Sequence, residues 1–151
     1  GEARLTVAVM FLPQQADADG WASGVQREVS EAIASACAGD DWLADHPVTV
    51  DWWPNTVMPL EIDAGEPIVP VTCAAVADVG GPARLTGLDS WYDGATFTLL
   101  AGTPSVGLGP SGLGRDGASV AHAVDEHVPV ADLVRCAQAI AVAALRFCGT
   151  A

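Results

Sequence analysis

The residues best suited to chemistry lie between Gly107 and Val128. There a glycine-rich loop (Gly107, Gly109, Gly112, Gly114, Gly117) runs into Ala121-His122-Ala123-Val124-Asp125-Glu126. A neutral imidazole is the commonest protein metal ligand, and a nearby carboxylate fixes the tautomer of such a ring or orients its neighbours. His122 is therefore the first candidate for a metal ligand, with Asp125 and Glu126 as the carboxylates behind it. A single histidine without a visible second ligand is more often structural, so its type alone does not decide the matter.

The segments around this stretch have to position it. Residues 104–108 have the composition of a buried strand leading into the loop. Residues 130–148 follow as a long helix whose apolar face is Leu133, Ala137, Ile140, Ala141, Ala144 and Leu145. Upstream, Asp93 precedes Gly94-Ala95-Thr96-Phe97-Thr98-Leu99-Leu100-Ala101, where its carboxylate is placed to cap the free amides at a helix start. Residues 68–79 read as an apolar helix entered through Pro67 and Pro70 and ended by Gly80-Gly81, and residues 83–88 as a short strand. Helix, strand, helix, strand, helix is an α/β alternation, and functional loops in such sheets sit at strand ends.

Nearer the start, residues 5–12 are β-rich and end at Pro13. Across residues 21–38 the apolar Val25, Val29, Ile33 and Ala36 recur at helical spacing, with Gly39 as the stop. Residues 48–53, bounded by Pro47 and Pro54, complete a βαβ pattern. Trp42, Trp52 and Trp53 are expected to pack in a core or interface, and His46 to be a solvated loop residue. A proline-containing acidic stretch then places a domain boundary near Pro59.

Composition removes several classes of function. The 151 residues carry a formal charge of −13 with only six Lys plus Arg, which argues against nucleic acid and against an anionic membrane surface. Half of the residues are apolar, so a core is affordable, yet no run of eighteen apolar residues exists to span a bilayer. Cys37, Cys73, Cys136 and Cys148 form no Cys-x-x-Cys pair; buried free thiols in a reducing, cytoplasmic setting are expected. Glu2, Asp17, Asp19, Asp40, Asp41 and Asp45 read as solvated surface charges.

The order Asp93, Pro104, Gly109-Pro110, His122, Asp125-Glu126 resembles the C-terminal part of the dinuclear-metal peptidases and deacylases typified by acetylornithine deacetylase, succinyl-diaminopimelate desuccinylase and the glutamate carboxypeptidases. The resemblance implies an α/β chain: residues 1–58 as the βαβ portion of a lid or dimerisation domain, and residues 59–151 as the end of a zinc-peptidase-like catalytic domain with a mixed sheet flanked by helices. It implies two divalent ions, zinc first, with cobalt or manganese as substitutes. It also implies attack of a metal-bound hydroxide on the amide of a small N-acyl amino acid or dipeptide-like substrate. His122 would be one terminal ligand. Ser90, Trp91, Asp93, Gly109, Ser111 and Gly112 would hold the substrate, and the lid would pair two subunits as a homodimer.

Departures from the pattern are concentrated at the substrate end. Tyr92 stands where relatives have a small Thr or Ser, Ser90-Trp91 where many have Gly-Thr, and Ser111 where the third residue of Gly-Pro-Gly belongs. The family's remaining ligands and its general base lie upstream of the lid, and no His-x-Asp pair occurs in this chain, so the fragment is not expected to be active alone. His127 corresponds to an aromatic position, which favours a packing role. The alternative from another class is a non-catalytic module for self-association or small-molecule binding. A nucleotide site on Gly107-x-Gly109-x-x-Gly112 lacks its structural context, because Pro110 interrupts the turn and no regular helix opens after it.

Overall fold

A computed structural model describes residues 2–53, 58–88, 90, 92–111 and 119–149. The chain divides into two compact units, Gly1–Glu61 and Ile62–Ala151. Five α-helices form in chain order: α1 (Ser23–Ala38), α2 (Asp41–Asp45), α3 (Ile68–Asp78), α4 (Gly94–Ala101) and α5 (Val130–Cys148). A single 3-10 turn, Pro13–Gln15, precedes α1.

In the first unit, α1 follows the apolar spacing read from the sequence and stops at Gly39. The backbone N–H of Ser23 at its start donates to Asp17 at 2.7 Å. The Ser23 hydroxyl, and then this N–H, hold the Asp17 carboxyl below the usual carboxylate range. The short α2 was not foreseen. Asp40, read as a mere surface charge, caps it by accepting the N–H groups of Trp42 and Leu43 at 3.0 and 2.9 Å. His46 closes α2, stacking on the Trp42 indole at 4.5 Å between ring centroids. Its Nδ1 lies 2.9 Å from the Trp42 carbonyl, which can only accept, so that nitrogen carries a proton. Ile33, Cys37, Leu43, Pro47 and Val48 help to line a cavity of about 310 Å³ between α1, α2 and the segment after them.

In the second unit, α3 packs on α5 and the C-terminal ends of the two helices are joined by the Arg146 to Asp78 ion pair. The buried residues of the two helices are small: Val69 and Ala75 of α3, and Ala139 and Ala143 of α5. Small side chains let the helix backbones approach closely, but each buries little area, so this packing contributes modestly per residue. The helix α4 ends at Gly102, whose φ of 62° is the left-handed conformation that glycine takes without penalty, and the Thr103 N–H closes the end on the Phe97 carbonyl at 3.0 Å.

The expected α/β architecture is corrected by this structure. Among the described residues there is no β-strand and no sheet, and an isolated β-bridge at Ser119 is not extended. Residues 5–12, 48–53, 83–88 and 104–108 have strand-type composition but carry no ladder, so neither the βαβ unit nor the mixed sheet of a zinc-peptidase-like domain is present. The physical reason is that a helix closes its hydrogen bonds within itself, whereas a strand needs a second strand to supply every other partner. Leu5, Val7, Met10 and Leu12 are accordingly exposed on the first of these segments.

Three packing expectations are revised as well. The α5 face named from the sequence is not the buried one: Leu133, Ile140 and Leu145 are 49%, 51% and 57% exposed, while Ala139 and Ala143 are buried. Of the two places expected for Trp42, Trp52 and Trp53, a core or an interface, the core is corrected: all three lie at the surface, Trp52 donating its Nε1–H to the Ser30 hydroxyl at 3.2 Å. All four cysteines are free, but only Cys37 is buried, with Cys73 and Cys136 half-buried and Cys148 exposed. Among the described residues no helix is long and apolar enough to cross a membrane.

Candidate functional site

His122 sits in the segment between the glycine loop and α5, and its backbone is the structure's distinctive local feature. It is the only non-glycine among the described residues with positive φ, at 63°. That conformation costs an L-residue about 1–2 kcal/mol. The turn that contains it closes with the Ala123 N–H donating to the Val120 carbonyl at 3.1 Å, and a second turn follows in which the Glu126 N–H donates to the Ala123 carbonyl at 3.2 Å. The His122 N–H donates to Glu126 Oε2 at 3.2 Å. All of residues 121–130, His122 among them, are exposed.

The carboxylates do not act in the way the sequence suggested. Glu126 takes the backbone of His122 rather than its ring. Asp125 contributes its carbonyl, which lies 2.8 Å from His127 Nδ1 and can only accept, so this nitrogen carries a proton. His127 is exposed instead of packed, and in its neutral form its Nε2 keeps an open lone pair.

The proposed substrate residues are placed by α4 and its surroundings. Ser90, Asp93, Gly109 and Ser111 are all exposed in the second unit. Trp91 and Gly112 lie outside the described residues, as do Gly114 and Gly117 of the loop. Asp93 occupies the residue before α4, but its side chain makes no capping hydrogen bond there, so the cap expected of it is not formed. The Thr98 hydroxyl ties α4 to the segment that leads into the loop: it accepts the Ser105 N–H at 3.0 Å and lies 3.1 Å from the Thr103 carbonyl.

Tyr92 is the residue that sequence reasoning passed over. Its ring lies against Gly94 and reaches Gly107, so that a methyl group added at Gly94 would run into the ring, and one at Gly107 would touch Cε2 at 3.7 Å. Two glycines facing one aromatic side chain let the loop's first glycine come beside the start of α4. Burial pushes the Tyr92 phenol up from its ordinary value. The only sequence signal for this arrangement was the departure at Tyr92 itself.

The donor set can be tested against a metal centre. An exposed imidazole suits a borderline ion such as zinc. Among the described residues, however, no group of three or more His, Cys, Asp or Glu is arranged to hold an ion. The cavity of the first unit offers no alternative centre, since its lining is mainly aliphatic. Comparisons of the chain with family models, with curated proteins and with solved structures give no match.

Proposed function

We propose that this chain is the C-terminal part of a metal-dependent amidohydrolase that cleaves the amide bond of a small N-acyl amino acid or dipeptide-like substrate, with His122 as a terminal ligand of one of two divalent ions. The observation that carries the reading is the exposed His122, whose backbone is left-handed and whose N–H donates to Glu126. Residues kept in sparsely populated backbone conformations concentrate at functional sites, where the surrounding structure maintains them for a purpose. The ordered motif from Asp93 to Glu126 supplies the reaction class.

When bound, zinc, or cobalt or manganese in its place, polarises the amide carbonyl and lowers the proton affinity of water. The chain's own part is narrower. His122 offers an imidazole nitrogen, Glu126 holds its backbone, and Ser90, Asp93, Gly109 and Ser111, with Trp91 and Gly112, are the residues we assign to the substrate's carboxylate end. The other ligands and the general base belong to segments outside this sequence, which is why the chain alone is inactive under this reading. Pairing of two subunits is assigned to the N-terminal unit.

A second reading is favoured by one observation: Trp42 and Trp53 are 66% and 63% exposed, as they would be on a module built for self-association. Hydrolysis separates the two. The parent protein, offered a panel of N-acyl amino acids, should release the acyl group, lose that activity with a chelator and regain it with zinc or cobalt. Metal-loaded parent protein that hydrolyses nothing on the panel would favour the module.

A further inference from the structure

The cavity of the first unit has room for more than water. Its volume of about 310 Å³ is about twice the roughly 150 Å³ in which an apolar site holds benzene. One wall is the stripe Ser30, Ile33, Ala34, Cys37 and Ala38, which recurs at helical spacing along α1, and the rest comes from α2 and the segment after it. Among the described residues none that lines the cavity is charged. Two lining groups are polar. Cys37 is 6% exposed, and its thiol, a weak donor, has no hydrogen-bond partner among the described residues. The Ser30 hydroxyl donates to the Gln26 carbonyl at 2.7 Å and accepts the Trp52 Nε1–H at 3.2 Å, which leaves its second lone pair to accept from a ligand. Along the helix the two groups are about 10 Å apart.

We propose that this cavity binds an uncharged, elongated apolar molecule with a hydroxyl at one end, a medium-chain aliphatic alcohol in its chemical class. The ligand hydroxyl donates to Ser30. Its chain covers Ile33, Leu43 and Val48, and its far end meets the soft, polarisable sulfur of Cys37. Apolar lining of this kind gives affinity by removing hydrocarbon from water, while the few polar groups fix orientation. An anionic chain is disfavoured twice: the lining holds no cation among the described residues, and the protein carries a formal charge of −13. The site lies wholly in the first unit and involves neither His122 nor a metal.

The test is made in the parent protein with the neutral dye N-phenyl-1-naphthylamine, whose emission rises in apolar surroundings. Octanol, its isomer dibutyl ether, which has no hydroxyl, and octanoate compete for the bound dye. Ala34 lines the cavity and is exposed, so A34F fills the space at little cost to the fold; S35F adds the same bulk at the next exposed residue, outside the lining. The dye should bind saturably to wild type and to S35F but not to A34F, and octanol should displace it at lower concentration than either competitor. Octanol should also slow alkylation of Cys37, resolved peptide by peptide, and leave Cys73, Cys136 and Cys148 of the second unit unaffected. This second readout needs no variant, so it decides the matter if A34F loses helix content by circular dichroism. Dye binding retained in a folded A34F, octanol no better than dibutyl ether or octanoate, or Cys37 alkylation unchanged by octanol would overturn the proposal.

Discussion

His122 trades stability for presentation. Its left-handed backbone costs about 1–2 kcal/mol, and glycine, which adopts that conformation freely, loses about 0.5–1 kcal/mol more chain entropy on folding. The net expectation is that His122→Gly stabilises the chain by about 0.5–1 kcal/mol in urea unfolding while removing the imidazole. A destabilised His122→Gly would mean that the side chain makes contacts that outweigh the strain. At this scale the sequence was only partly informative. Residue type drew attention to His122, Asp125 and Glu126, but nothing in Ala121-His122-Ala123 announces a positive φ. The partner of Glu126 is a main-chain amide, which residue types cannot reveal. Asp93 shows the converse: its position before α4 was legible, yet it makes no capping bond there.

Four of the five helices were legible because their causes are local, the short α2 being the exception. Apolar spacing, Gly39, Pro67 and Gly102 set the bounds of α1, α3 and α4 within a residue or two. The strand-type segments were misread because composition shows only that a residue would fit a pleated surface, while a ladder depends on a distant partner. On α5 the error was one of face: the helix is apolar on two sides, and the periodicity could not say which side meets α3. Ala143 is buried, so Ala143→Leu should overpack the α3 contact and cost about 1–3 kcal/mol. Ile140→Ser on the exposed side should stay within about 0.5 kcal/mol of wild type. Urea unfolding of both variants checks this. A costly Ile140→Ser would show that the second face is covered in solution.

At the scale of the whole molecule, the sequence placed a boundary near Pro59, and along the chain the first compact unit ends at Glu61 and the second begins at Ile62. Their buried residues are few and mostly small, while Leu133, Ile140, Leu145, Phe97 and Leu100 in the second unit stay exposed. The proposed function has this chain supply one ligand and leave the others to segments beyond it. The central claim is therefore about metal, and metal content tests it most directly. Purified parent protein should carry about two divalent ions per chain, and His122→Ala about one or fewer, with hydrolysis abolished. His122→Ala protein with unchanged metal content and unchanged turnover would contradict the account.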